Sequence, residues 1–114
     1  MSFLDYFITP EGLQELDPET VEKRSSEEGT VIVDVRTRSE YSGGHIANSK
    51  HIPLGSVKDH ISQLPKDQKY ILICATGHRS RAAGAIFLKN GYENVSHLKG
   101  GMGSWKRSGK KIEK

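Results

Sequence analysis

One strong nucleophile occurs once in the 114-residue chain, at Cys74. It follows four apolar residues, 70–73 (Tyr, Ile, Leu, Ile), and precedes Ala75, Thr76, Gly77 and His78. Arg79 then opens a stretch to Lys89 that reads as a helix. A continuous apolar run suits a strand buried on both faces, so strand, thiol, short loop and helix are expected in immediate succession. At a helix start the unpaired N–H groups of the loop and first turn converge on one point, which makes an anion-binding cradle. The helix dipole and the Arg79 guanidinium both favour thiolate over thiol. Gly77 lets the loop backbone close tightly around an anion. A lone cysteine is more often an inert core residue, but this placement favours a reactive one.

The elements that must hold this stretch can be read in turn. Residues 1–12 have apolar character (Phe3, Leu4, Tyr6, Phe7, Ile8) without a period, and are expected to be an extension or a covering segment. Residues 13–16 suggest a short edge strand. Asp17 then caps a helix with Pro18 at its first position and Glu19 in its first turn, running to about Ser26. Residues 30–36 form a second apolar, β-branched strand that carries Asp34 and Arg36 at its end. Thr37 and Glu40 have capping-box spacing for a helical turn. Residues 49–52 predict a third strand. Ser56 is expected to cap a helix that buries Val57, Ile61 and Leu64 and ends at Pro65. After the cysteine strand and its helix, Asn90 and Gly91 form a stop. Residues 94–98 give a last strand, and a glycine-rich turn leads into a short final helix. Strands alternating with helices predict an α/β fold: a mostly parallel sheet with helices on both faces. In such sheets ligands bind beyond the carboxyl ends of strands, where Cys74 is expected.

A hydrophobic content of 34% and 27% charged residues suit a soluble globular domain. No run approaches the roughly 18 apolar residues of a membrane helix, and the first ten residues lack the form of a signal peptide. One cysteine cannot form an internal disulfide, so a reducing cytoplasm is the expected location. The net charge of +3 hides an asymmetry: residues 1–60 hold six Lys and Arg against eleven Asp and Glu, and residues 61–114 hold eleven against three. The cysteine lies in the basic half, which favours a small anionic substrate. Residues 109–114 are expected to be a solvated basic tail, since no nucleic-acid motif accompanies their charge.

Four segments carry a family resemblance: IVDVRTRSEYSGGHI (32–46), HIPL (51–54), ILICATGHRS (71–80) and GYENVSHLKGGMGSW (91–105). In this order, with a lone cysteine at the loop, the chain over residues 13–108 resembles a single-domain rhodanese, a thiosulfate sulfurtransferase. The resemblance implies a five-stranded parallel sheet flanked by helices, and Cys74 as the residue that carries a persulfide. It implies transfer of a sulfane sulfur from thiosulfate or another small anionic donor to cyanide or a thiol, with no cofactor. A non-turnover persulfide carrier supplied by a cysteine desulfurase or another partner protein is the alternative. Family members often have Pro and then Gly after the Gly-His-Ile, where this chain has Ala47 and Asn48; Asn tolerates a left-handed backbone. Many also place Arg directly after the cysteine, where this chain has Ala75, which leaves Arg79 and His78 as loop cations. Cysteine-based phosphatases of similar fold, the third reading together with arsenate reductase, put five residues between Cys and Arg. Here four residues, Ala75 to His78, separate Cys74 from Arg79, and the smaller ring suits one sulfur atom.

The remaining polar residues read as support. Arg36 is expected to pair structurally with a neighbour such as Asp34 rather than touch substrate, and His45 to fix a turn. His51, His60 and His97 are scattered without metal-ligand spacing, so no metal site is expected. Trp105 and Met102 either shape the pocket rim or cover the core.

Overall fold

Five strands lie side by side in the order β1-β5-β4-β2-β3, all parallel. They are β1 (Gln14–Leu16), β2 (Thr30–Asp34), β3 (Lys50–His51), β4 (Lys69–Ile73) and β5 (Val95–Leu98). The helices between them are α1 (Pro18–Ser25), α2 (Arg38–Ser42), α3 (Val57–His60), α4 (His78–Lys89) and α5 (Gly101–Arg107). The structure, a computed structural model, describes residues 3–114. The expected architecture is present, and the cysteine strand β4 is the central one.

Successive side chains on a strand face opposite ways, and β4 feeds two cores accordingly. Tyr70, Leu72 and Cys74 join Val33, Val35, Val57, Ile61, Ala83, Ile86, Phe87 and Tyr92 on the α3–α4 face. Ile71 and Ile73 join Leu16, Val21, Ile32, Leu98, Met102 and Trp105 on the α1–α5 face. Trp105 is thus a core residue, and its indole N–H donates to Lys111 O at 2.8 Å. Tyr70, Phe87 and Tyr92 pack ring against ring at centroid separations of 5.2–5.6 Å.

Local chemistry sets most boundaries. Asp17 accepts the Thr20 N–H at 2.8 Å and begins α1, with Pro18 at its first position. Thr37 and Glu40 form the reciprocal capping box of α2. Asn48 takes the left-handed backbone at φ 64, as its residue type allows.

One expectation needs correction. Ser56 makes no side-chain cap and already has helical backbone angles. The chain reaches α3 through a 3-10 turn, Leu54–Ser56, so backbone carbonyls satisfy the first donors: Ser56 N–H bonds to Pro53 O and Val57 N–H to Leu54 O. The segment 109–114 stays exposed apart from half-buried Lys110, and it is also tied back to the fold. Glu113 and His45 exchange two backbone hydrogen bonds of 2.8 Å, and Lys110 Nζ sits 2.7 and 2.9 Å from Glu19 and Glu22 of α1. The acidic face of α1 supplies partners that a reading of the basic segment alone could not see. The N-terminal 3-10 turn, Phe3–Tyr6, lies against α4, while Phe3, Leu4, Phe7 and Ile8 stay more than half exposed. Residues 1 and 2 fall outside the described part of the chain. Among the described residues no helix is long and apolar enough to cross a membrane.

Candidate active site

Cys74 stands one residue beyond the central strand and is fully buried. Its Sγ accepts the Gly77 N–H at 2.9 Å and lies 3.4 Å from Ser80 Oγ. Gly77 makes this reach with φ at 101°, a left-handed conformation that side chains disfavour. The carbonyls of Cys74 and Ala75 turn towards α5. Cys74 O accepts from Met102 N–H at 2.8 Å and Ala75 O from Gly103 N–H at 3.0 Å, so the N-terminus of α5 braces the loop from outside. That close approach requires Gly101, where an added Cβ would lie 2.3 Å from Cys74 O. Gly77 O accepts instead from Ser80 Oγ at 3.1 Å and from the Arg81 N–H at 3.3 Å. Among the described residues the N–H groups of His78, Arg79 and Ser80 take no backbone acceptor.

The cations predicted for the loop are placed less directly. Arg79 makes a two-pronged pair with Glu40, Nη1 to Oε1 at 2.6 Å and Nη2 to Oε2 at 2.8 Å. Its charge therefore acts on the Cys74 sulfur through space rather than by a hydrogen bond. His78 turns outward, with Nδ1 3.2 Å from Thr76 Oγ1 and its ring 5.4 Å from that of Phe7. Ala75 adds no polar side chain. Asp34 and Arg36 are buried together: Arg36 Nε and Nη2 bond to the Asp34 carboxylate at 2.8–3.1 Å, and Nη2 also donates to Gly44 O at 2.7 Å. The pair thus fixes the turn after α2, and among the described residues neither side chain bonds to Cys74 or the loop. His45 Nδ1 meets Tyr41 O at 2.8 Å in the same turn, its ring stacked on Tyr41.

The charge asymmetry of the chain is used largely inside the fold. Arg79 with Glu40, Arg81 with Glu15, and Lys110 with Glu19 and Glu22 each join a cation of the second half to an acid of the first. The basic half consequently presents less free charge to an anionic substrate than the sequence count suggests.

Glu40 serves two elements at once, capping α2 and holding Arg79. The Arg79 hydrogen bonds keep its carboxyl down at about 2, from an ordinary 4.5. A carboxylate lowered in this way stabilises the fold above pH 4.5, and the contribution is lost as pH falls through 4.5 towards 2. With about a third of the side chain exposed, screening limits the effect to about 1 kcal/mol. Gln can keep the capping box through its amide oxygen, but it removes the charge and one of the two Arg79 hydrogen bonds, because its NH2 cannot accept. Glu40→Gln is therefore expected to lower the thermal midpoint at neutral pH by roughly 4 °C, with a smaller difference near pH 2. An equal difference at both pH values would contradict this assignment.

Three functional candidates escaped the sequence reading: Ser80, His97 and Glu15. Ser80 Oγ lies 2.7 Å from His97 Nδ1, and His97 Nε2 lies 3.0 Å from Glu15 Oε2. The available signal was a histidine inside a buried strand, where an unpartnered imidazole is costly and a partner is implied.

A parallel five-stranded sheet with a buried thiol in a loop at the end of its central strand defines a known class, and the comparisons agree. The Rhodanese-like domain family matches residues 17–108, and the chain belongs to that family. It is 33% identical over 98 residues to a sulfurtransferase of Allochromatium vinosum, covering 85% of this chain and 92% of that protein. It is 34% identical over 93 residues to the thiosulfate sulfurtransferase GlpE of Pseudomonas aeruginosa, covering 82% and 84%. The crystal structure of a rhodanese-related protein from Thermoplasma volcanium superposes with a TM-score of 0.79 at 31% identity, covering 88% of this chain and 97% of that one.

Proposed function

We propose that this chain is a sulfurtransferase that carries a sulfane sulfur on Cys74. One observation carries the reading: the buried Cys74 sulfur accepts the Gly77 N–H of the loop that follows it, while Cys74 O and Ala75 O are bonded to α5. The thiolate attacks the outer sulfur of thiosulfate. An Sγ–S bond forms, the S–S bond of the donor breaks, and sulfite leaves with the electron pair. The terminal sulfur of the Cys74 persulfide is an anion, and in this reading the N–H groups of the loop and the first turn of α4 hold it. Attack on that sulfur by cyanide or a thiol releases the product and regenerates the Cys74 thiolate. In this reading the loop residues Ala75 to His78 and Arg79 bind the donor, with Arg79 lending charge from its pair with Glu40. Asp34 and Arg36 hold the neighbouring turn. A reducing cytoplasmic setting suits a lone free thiol.

A second reading, a persulfide carrier loaded by a cysteine desulfurase, is favoured by two features of this loop. Ala75 supplies no cation, and the charge of Arg79 is met by Glu40. Both weaken capture of a free anion without weakening the hold on a covalent persulfide.

The test is direct. After incubation with thiosulfate, the intact mass is expected to rise by one sulfur atom per chain. Cyanide should then release thiocyanate, and Cys74→Ala should abolish both. Loading from desulfurase and cysteine but not from thiosulfate would select the carrier. No adduct from either donor, or hydrolysis of an aryl phosphate instead, would overturn the proposal.

A further inference from the structure

Behind Cys74 lies a line of polar groups that sulfur transfer as described above does not use. Ser80 Oγ, 3.4 Å from Cys74 Sγ, is 2.7 Å from Nδ1 of His97, and Nε2 of His97 is 3.0 Å from Glu15 Oε2. Cys74, Ser80 and His97 are fully buried, and Glu15 reaches solvent at the β1 edge. The hydrogen positions follow from chemistry. Burial alone would push the Glu15 carboxyl up, but the His97 hydrogen bond and the charges of His97, Arg81 and Lys99 bring it below its ordinary value. An ionised Glu15 can only accept, so the proton of His97 is on Nε2 and Nδ1 is bare. Ser80 Oγ has two acceptors within reach, Gly77 O at 3.1 Å and the bare Nδ1 at 2.7 Å; its one hydrogen goes to the nearer, Nδ1, and Ser80 Oγ accepts from the Cys74 thiol. Desolvation holds His97 below its ordinary value, with Glu15 offsetting only part of this, so the resting imidazole is neutral.

We propose that Ser80, His97 and Glu15 form a proton relay for Cys74, in which the thiol proton passes to Ser80 Oγ as the serine proton passes to His97 Nδ1. The products are a Cys74 thiolate and a His97 imidazolium held by Glu15; no proton leaves the protein and no bond between heavy atoms changes. The hydrogen bonds then reverse direction. Nδ1–H donates to Ser80 Oγ, and the serine hydroxyl donates to Sγ, which gains a second donor beside the Gly77 N–H. A buried thiol can thus ionise without leaving an uncompensated charge in the core. The imidazolium remains as counter-charge while a persulfide occupies the loop. Ser80 touches the reacting sulfur and is catalytic; His97 and Glu15 act through it as positioning residues.

The charged groups around His97 fit this role. From β1 it faces Glu15, and from α4 it faces Arg81, whose Nη2 is 3.5 Å from the same Glu15 oxygen and whose Nε donates to Thr9. Lys99, just beyond β5, adds to the field on Glu15, and Arg79 at the start of α4 is paired with Glu40. Arg81 opposes a proton on His97, and Glu15 is the carboxylate that makes it tolerable.

This relay rests on Cys74 being a nucleophile, and its test uses no sulfur donor, so it can fail while sulfur transfer stands. The full chain, with folding checked by circular dichroism, is alkylated with iodoacetamide across a range of pH. Gln at position 97 cannot take a proton. His97→Gln is therefore expected to move the half-plateau point upward by about one pH unit, which reads as roughly tenfold slower alkylation at neutral pH. Glu15→Gln, which only removes the counter-charge, should move it the same way by less, about threefold in rate. Both should reach the wild-type plateau at high pH. Superimposable profiles would overturn the relay, as would a uniform slowing with an unchanged half-plateau point, the mark of a packing role. Should His97→Gln fail to fold, Glu15→Gln at the exposed edge decides by the same criterion.

Discussion

Gly101→Ala is expected to lower the unfolding free energy by about 3 kcal/mol and to loosen the Cys74 loop. The added Cβ would lie 2.3 Å from Cys74 O, 2.5 Å from Ala75 C and 2.6 Å from Ala75 O. All three atoms are backbone, so no flexible side chain can swing aside. The residue also sits at φ 58, where a side chain costs roughly 1–2 kcal/mol on its own. Relief requires α5 to back away, which breaks the Met102 and Gly103 hydrogen bonds that hold the Cys74 and Ala75 carbonyls. Urea unfolding measures the first effect, and faster deuterium exchange at the Gly77 amide measures the second. An unchanged urea midpoint would show that α5 does not brace the loop.

The second large effect is at the buried pair. Arg36→Met is expected to cost about 3–5 kcal/mol, because it leaves the Asp34 carboxylate in the core without its guanidinium donors. It also removes the donor to Gly44 O. Replacing both charges, Asp34→Leu with Arg36→Met, should cost less than Arg36→Met alone, since it removes the stranded charge itself. Denaturant midpoints of the three proteins decide the point. A double variant less stable than both singles would mean that the pair is needed for the turn it holds rather than for its own neutralisation.

How much of this was written in the sequence depends on distance along the chain. Asp17, the Thr37–Glu40 box, the strand that ends at Cys74 and the left-handed Asn48 were all legible, because each is governed by neighbours within about four residues. Where an approaching segment supplies the groups, the local reading fails. Ser56 carries a capping side chain but no capping role, since the preceding turn already presents carbonyls. The hold of Glu40 on Arg79 spans 39 residues and changes what that loop cation offers. The meeting of His97 with Glu15 spans 82, and rests on the register that sets these two residues side by side on β5 and β1. Cys74 could be singled out because it is the lone thiol at a strand end; the groups behind it could not, because no local pattern brings them there.

The strand order has a consequence for how the molecule is assembled. Among the described residues β1 precedes the other four strands and has one sheet neighbour, β5, which follows them. While a ribosome delivers the intervening segment, β1 has no edge to join, and the acidic first half waits for cations that emerge later. Closing that contact joins residues some eighty positions apart, a large loop and a slow step by entropy alone. Opposite charge on the two blocks draws them together before any hydrogen bond forms. Glu15 reaches His97 only in that closing step, so the groups behind the thiol come into line as the sheet is completed.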